Sequence, residues 1–488
     1  MAELARAALA LFLIWLVGAL LLGALGLRRR RWPLGYAQPG IDFAAGCALL
    51  ATVWTLAALL GWRVTPGLIF AVAIALAIPA GMQAVRLRRQ SGADEHAAPG
   101  DAGMLRRRAV SLRRHGFSWA TWLAIACFLV VLAGLLIRAW YAPMFWDGRY
   151  IWAFKAKEMF LDGRLDRDAF TNLARYAYSH LDYPLAVPAA QAWVYQVLGR
   201  VDERCAVLVG VVYWLGIALL LGSYLRRRLA LSWAVGVSLL ACQLPLVSYH
   251  AGGGAADVPL AFCYLAAAIL LAEWVEYGRR EDSVLAALMF GICSLVKAEG
   301  LTMALGGVLA FAVAWCVKGR RVTAAGAVLG PLALVSPYLP WAALRASWGI
   351  PSLQLSYVGS LSDWAQMAAR LKTILHSLAS HAISWQQWEL AWVFVGIGFI
   401  AYLWGRGGCA PPREVWARWR RAPAVLWGLC LWQLAVYVAN YALSHYEIVQ
   451  YLNTSLDRVM LHLLPLAIAA AVLSLARGDR TPASSPSG

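Results

Sequence analysis

The chain has 488 residues, of which 61% are hydrophobic and 14% are charged. A typical soluble domain carries about 25% charged residues, so this chain has too few charged side chains to cover a soluble surface of its size. The composition excludes an ordinary soluble enzyme, a disordered chain and a small secreted module. It predicts an all-α polytopic membrane protein.

The formal net charge is +18, from 43 Lys and Arg against 25 Asp and Glu. Much of the positive charge falls in short clusters between apolar runs. These clusters lie at 28–31, 106–108, 226–228, 318–321 and 418–421. Cytoplasmic loops of membrane proteins carry such an excess of Lys and Arg. We therefore expect a lipid bilayer as the partner of this charge, and no nucleic acid.

Hydropathy predicts about thirteen transmembrane helices, since a span needs about 20 apolar residues. The predicted spans are 4–26, 42–62, 66–85, 118–139, 205–225, 229–248, 257–277, 283–298, 301–317, 323–345, 387–404, 424–444 and 458–476. The basic clusters then place the N terminus outside and the C terminus in the cytoplasm. High Ala, Leu, Arg and Trp usage is typical of a GC-rich bacterium and indicates its inner membrane.

Five segments follow from these spans. Three N-terminal helices form a unit and are followed by a basic cytoplasmic linker, a central core, a C-terminal loop with further helices, and a tail predicted to be disordered. Their boundaries are 1–85, 86–117, 118–345, 346–477 and 478–488.

A large outer loop over 140–204 interrupts the core. The apolar stretch 184–199 within it is short and contains two prolines, so we expect it to lie at or re-enter the interface. Residues 150–161 suit an interfacial helix that turns Trp152 toward the bilayer and Lys155 toward water. The loop is rich in aromatic side chains, which suit an aromatic belt at the headgroups or a platform for sugar faces or a lipid chain.

Four acidic residues fall at outer helix ends or in outer loop motifs. They are Asp147 in FWDGRYIW, Asp182 in SHLDYPL, Asp257 in GGGAADVPL and Glu299 in VKAEGL. Ionisable residues beside spans cost free energy and mark functional sites, although headgroups can also solvate them. Because the Lys and Arg pattern alone places all four acids at one face, the sequence predicts a site there.

Basic and ring-bearing neighbours complete the predicted site. The candidates for binding a phosphate are Arg149, Lys155, Lys297 and Arg458, with snorkelling to lipid phosphates or salt bridges as the alternative. His180 and Tyr183 flank Asp182 and are candidates for binding substrate. The histidine spacing matches no zinc signature, so we expect no metal ion or other cofactor, and a divalent metal is the less favoured alternative.

These motifs resemble the GT-C superfamily of integral-membrane glycosyltransferases, nearest to its branch of protein mannosyltransferases and aminoarabinose transferases. The resemblance rests on Asp147 in the aromatic-Asp motif, the segment 179–185, Asp257 before Val-Pro-Leu, and the Lys-Ala-Glu-Gly stretch at 297–300. It covers roughly 118–345. Many members carry paired acids in the first-loop motif, whereas this chain has a single acid in Asp147-Gly148-Arg149.

The resemblance implies an inverting transfer of sugar from a polyprenyl-phosphate donor to a glycan, lipid or protein acceptor at the outer, periplasmic face. Asp147 would be the catalytic base, and His180, Asp182, Tyr183, Asp257 and Glu299 would bind substrate. Two other classes stay open. One is a polytopic transporter or flippase of a lipid-linked substrate, and the other is a non-catalytic envelope-assembly protein.

Overall fold

A computed structural model describes residues 2–28, 35–95, 118–142, 144–318, 324–350, 364–404 and 422–476. Every regular element in this part of the chain is a helix, and eight of the helices are long and apolar enough to cross a membrane. A bent pair makes a ninth span if its two halves count as one. The prediction of an all-helical, multi-pass membrane protein is confirmed, whereas the count of thirteen spans stays a prediction.

Within 2–28 and 35–95 the structure has three α-helices, which we label in chain order. They are α1 (Ala2–Ala24), α2 (Gln38–Leu60) and α3 (Pro66–Glu95). The predicted linker 86–117 is helical as far as Glu95, and its remainder lies outside the described residues, as does the tail 478–488. These helices pack onto the core, because a Cβ atom at Gly40 of α2 would lie only 2.8 Å from the ring of Phe262.

The large loop begins after α4 (Trp119–Tyr141). A π-helical turn, Gly148–Ala153, leads into α5 (Phe154–Asp162), and the short helices α6 (Arg167–Thr171) and α7 (Leu173–Tyr176) follow. Next come the 3-10 turn Ala177–Ser179 and α8 (Ala186–Leu198).

Helix α8 covers the stretch predicted to lie at or re-enter the interface, and it has 13 residues. It is buried, and its Trp193 indole donates to the carbonyl of Ala10 over 3.2 Å. The helix therefore packs inside the protein and joins the loop to the N-terminal helices.

The described residues of the core continue through nine helices. They are α9 (Glu203–Ala206), α10 (Leu208–Leu225), α11 (Leu231–Gln243), α12 (Pro245–Ala251), α13 (Asp257–Tyr277), α14 (Arg280–Val296), α15 (Gly300–Lys318), α16 (Ala324–Val335) and α17 (Leu339–Trp348). Helix α13 is buried along almost its whole length and lies at the centre of the bundle.

Two predicted spans are broken by proline. The stretch 229–248 forms α11 and α12, which bend by 68° at Pro245. The stretch 323–345 ends its first helix at Val335 and begins a second at Leu339. Proline removes a backbone donor and crowds the preceding turn, so these stretches are not single straight helices.

The C-terminal part contains α18 (Trp364–Ala382), α19 (Trp385–Trp388), α20 (Ala391–Trp404), α21 (Ala422–Leu443) and α22 (Ile448–Leu475). The last helix begins ten residues before the predicted span at 458. Its first turns are polar, so hydropathy alone excluded them. The difference matters because those turns face the cavity described next.

Candidate functional site

A cavity of about 550 Å³ lies where several helix ends meet. The segment after α4, the turn between α14 and α15, the end of α21 and the start of α22 all contribute to its lining. Seven of the residues predicted from the sequence are in that lining: Asp147, His180, Asp182, Tyr183, Lys297, Glu299 and Arg458. Asp257 lies directly behind it, and Arg149 and Lys155 do not line it.

Glycines bring the Asp147 segment to the cavity. A Cβ atom at Gly148 would lie 2.0 Å from the carbonyl oxygen of Gly253, so no other residue fits there without movement. The same carbonyl accepts a hydrogen bond from the backbone of Phe145 over 3.2 Å. The glycine run at 252–254 therefore serves as a docking surface for the chain itself. It fixes the backbone from which the Asp147 carboxylate reaches the cavity.

The carboxylate of Asp257 is fully buried at the first residue of α13. One oxygen lies 2.9 Å from Lys297 Nζ and 2.9 Å from His462 Nε2. The other lies 3.1 Å from Arg458 Nη2 and 3.7 Å from His250 Nδ1. A buried charge is tolerated only when it is paired and hydrogen-bonded, and the start of a helix favours a negative charge.

The charged side chains alternate in sign around Asp257. Lys297 Nζ also lies 2.9 Å from Glu299 Oε1, and the Arg458 guanidinium also pairs with Asp147. The order is thus Glu299, Lys297, Asp257, Arg458 and Asp147. Both cations already have carboxylate partners, so an entering anion would share them with Glu299 and Asp147. Asp257 remains beneath as the fixed counter-charge.

Two residues that sequence reasoning missed extend this network. His462 is fully buried and lies one helical turn after Arg458 on α22. Its Nδ1 lies 2.8 Å from the hydroxyl of Tyr437, which lines the cavity from α21. The spacing of four residues from Arg458 places His462 on the same helix face. The spacing can be read from the sequence, but His462 lies within an apolar run and was therefore interpreted as part of a membrane span.

Lys155 stabilises the backbone of the segment 180–183. The ammonium is buried and donates to the carbonyls of His180, over 2.6 Å, and Tyr183, over 3.2 Å. His180 has a φ of 48°, which is unusual for a residue other than glycine, and its ring stacks on Tyr183 at 4.7 Å. The prediction that Lys155 turns toward water is wrong, because its ammonium is buried and binds two carbonyls of the loop. Its contact to a phosphate stays a prediction.

Burial sets the titration of this segment. It lowers the pKa of Lys155 to about 7, against the attraction of the Asp182 carboxylate. Burial and the neighbouring Lys155 also hold the pKa of His180 below its usual value, while Asp182 acts in the opposite direction. Near neutral pH, Lys155 is therefore partly uncharged and His180 is mainly neutral.

Arg149 also turns away from the cavity. Its guanidinium makes a two-pronged ion pair with Glu203 on α9, with contacts of 2.7 and 3.1 Å. The proposed contact to a phosphate is therefore not prepared in this structure, because Arg149 is used to tie the π-helical turn to α9. Sequence spacing gave no sign of this partner, which lies 54 residues away.

An uncharged group of side chains completes the lining. These residues come from one face of α21 and one face of α22, at helical spacings of three and four. We call them the uncharged lining: Tyr437, Asn440, Tyr441, Tyr451, Thr454 and Ser455. Sequence reasoning missed all of them, although a polar stripe on an otherwise apolar helix was the available signal.

No protein-family model, no curated protein and no solved structure matches this chain.

Proposed function

We propose that the protein is a membrane glycosyltransferase of the GT-C type. It moves a sugar from a polyprenyl-phosphate donor to an acceptor hydroxyl at the outer face of a bacterial inner membrane. One observation carries the proposal: a carboxylate, Asp147, and two cations, Lys297 and Arg458, line a single cavity where membrane-spanning helices end. This arrangement combines a base with groups suited to a departing phosphate at membrane level.

Asp147 acts as the general base in the proposed step. Its carboxylate takes the proton from the acceptor hydroxyl as that oxygen attacks the anomeric carbon of the donor sugar. The bond from the anomeric carbon to the phosphate oxygen breaks, and polyprenyl phosphate leaves with the bonding electron pair. Attack from the face opposite the leaving group inverts the anomeric configuration.

Lys297 and Arg458 stabilise the charge that develops on the leaving phosphate. Asp257 holds both cations from behind, so they need little rearrangement when the donor binds. Removing Asp257 would misplace both at once, which makes it a positioning residue in this scheme. His180, Asp182, Tyr183 and Glu299 line the rest of the charged side and are placed to bind the sugar hydroxyls.

The test is transfer from a panel of radiolabelled polyprenyl-phosphate sugars in membranes that carry the wild type or Asp147→Asn. General bases contribute about 10²–10⁴-fold to rate, so we expect a loss of that size in the variant. Asp168→Asn is the matched control, because Asp168 is an exposed acid of the same loop. Transfer by Asp147→Asn at the wild-type rate would refute the assignment of the base.

One observation favours a transporter of a lipid-linked substrate as the second candidate. Helices α11 and α12 form a broken pair bent by 68°, and α12 places His250 beside Asp257. Broken helices beside a binding site are typical of secondary transporters. Movement of a fluorescent polyprenyl phosphate across proteoliposomes, without sugar transfer, would support this candidate over the first.

A further inference from the structure

The cavity has a charged part, described above, and the uncharged lining, which the proposed reaction does not use. Within the uncharged lining, side chains come from two helices and bind one another across the gap between them. Asn440 Nδ2 on α21 donates to the hydroxyl of Tyr451 on α22 over 3.0 Å. Tyr441 and Ser455 are joined over 2.9 Å in the same way. The lining is therefore a built polar surface rather than a set of unrelated side chains.

The hydroxyl hydrogen of Tyr437 is used in a hydrogen bond to His462. A carboxylate only accepts hydrogen bonds, so His462 Nε2 carries a hydrogen toward Asp257. In neutral His462 the other nitrogen, Nδ1, then has a lone pair and accepts from Tyr437. Tyr437 therefore presents its oxygen to the cavity as a hydrogen-bond acceptor.

The hydrogen-bond directions of the neighbouring hydroxyls follow in the same way. Ser455 donates to the carbonyl of Tyr451 over 2.6 Å, so in its pair with Tyr441 the tyrosine is the donor. Tyr441 thus also presents an acceptor oxygen. Tyr451 differs, because its oxygen accepts from Asn440 and, among the described residues, its own hydrogen is left for a ligand.

Acceptors and a donor therefore alternate over a surface that also offers ring faces. The Tyr451 ring lies 4.9 Å from the Tyr441 ring and 5.2 Å from the Tyr446 ring, all three beside the cavity. A sugar hydroxyl both donates and accepts, and sugar C–H faces are apolar. A phosphate group only accepts hydrogen bonds, so it would bind near Lys297 and Arg458. An ammonium group only donates hydrogen bonds, so it would bind near the carboxylates of the charged part.

We propose that the uncharged lining is the acceptor subsite and that the acceptor is a saccharide, rather than a peptide or a charged lipid headgroup. The inference rests on the proposed function for the word acceptor, whereas saccharide binding by these six residues stands without it. A cavity of about 550 Å³ falls in the range of about 300–1,000 Å³ that is usual for ligand sites.

The experiment measures binding without any donor present. Methyl glycosides of common hexoses and their disaccharides are presented to the full chain in lipid nanodiscs, and binding is followed by saturation-transfer NMR. Tyr437→Phe and Tyr451→Phe keep each ring and delete one hydroxyl, so we expect affinity for the bound saccharide to fall about threefold to tenfold in each. Tyr178→Phe is the control, since Tyr178 is a half-exposed tyrosine of the large loop that does not line the cavity.

Each outcome decides the subsite proposal and leaves the proposed transfer to its own test. Saccharide binding that weakens in both variants but not in the control supports the subsite, even if no donor ever gives transfer. The inference is overturned if no saccharide binds, or if the two variants bind like the wild type. It is also overturned if a serine peptide or phosphoethanolamine binds instead and is lost in Tyr451→Phe, and none of these results bears on transfer itself.

Discussion

Helix α13 carries a buried acid at each end, and the two ends are used differently. Asp257 at the first residue is surrounded by Lys297, Arg458 and His462 and lies behind the cavity. Glu273 near the last turn is equally buried but pairs with arginines, 3.0 Å from Arg279 and also with Arg227. Neither Glu273 nor its partners line the cavity.

The partners explain the difference. The side chains of Arg458, Arg227 and Arg279 are similarly exposed, at 21%, 19% and 25%. The difference lies in Lys297 and His462, whose side chains are 4% and 0% exposed. Glu273 is held by arginines that partly reach water and lie away from the cavity, so this end suits a structural ion pair rather than a ligand site. At the Asp257 end the acid itself is shielded from water, whereas Asp147, Glu299, Lys297 and Arg458 line the cavity and can meet a ligand.

Loss of the acid at the Asp257 end should have the largest effect on stability. Asp257→Asn leaves the buried Lys297 with less counter-charge, and breaking a buried pair costs about 3–5 kcal/mol. Thermal unfolding can be followed by a thiol-reactive dye, because Cys242, Cys263 and Cys293 are buried. The control is Asp168→Asn. An unchanged unfolding temperature in Asp257→Asn would contradict the importance of the buried pair between Asp257 and Lys297 for stability.

Removing the acid at the Glu273 end should lower the stability less and leave the cavity unchanged. Glu273→Gln removes a buried acceptor from arginines that partly reach water, so we expect a loss of about 1–3 kcal/mol in the free energy of unfolding. Saccharide binding and transfer should stay within about twofold of the wild type. The comparison fails if Glu273→Gln weakens binding as strongly as Asp257→Asn does.

The two ends should also respond differently to pH. Arginines stay charged throughout the accessible range, but Lys155, beneath the cavity segment, has a pKa of about 7 in the folded chain against 10.5 in the unfolded chain. Between these values the unfolded chain binds the extra proton, so stability rises with pH from about 7 upward. We expect Lys155→Met to lose this rise when unfolding temperatures are compared at pH 7 and pH 9, and an identical rise would contradict the burial of the ammonium.

The smallest effect on stability is expected for an ion pair that lies at neither end of α13. The Arg149 and Glu203 side chains are 41% and 32% exposed, and exposed pairs contribute about 0.2–1 kcal/mol. Arg149→Gln should therefore lower the unfolding temperature only slightly and leave transfer near the wild-type rate. A strong loss of transfer would restore Arg149 as a phosphate ligand and would show that its pair with Glu203 opens during the reaction.

Much of the charged part of the site was predictable from the sequence. Alternating spans and basic clusters place Asp147, Asp182, Asp257 and Glu299 at one membrane face, and three of these acids line one cavity with the fourth directly behind it. Asp147, Asp257 and Glu299 lie at helix ends and Asp182 lies in the large loop, and the side on which helix ends and loops lie follows from the order of the spans.

The remaining features depend on packing, which a pattern along the chain does not contain. Nothing in the spacing of Lys155 distinguishes a side chain in water from one that binds two backbone carbonyls. The uncharged lining was missed for a different reason. The first turns of α22 mix polar and apolar residues, so the predicted span began at Arg458, inside the helix that carries Tyr451 and Ser455.

The pairing of Asp257 also orders the events of biosynthesis. Lys297 follows it by 40 residues, whereas Arg458 follows by 201 residues and His462 by 205. While the chain is being made, α13 must therefore enter the membrane with an acid whose final partners have not yet been synthesised. A nascent chain that stops before α22 would keep this carboxylate incompletely neutralised, because Arg458 and His462 would both be missing.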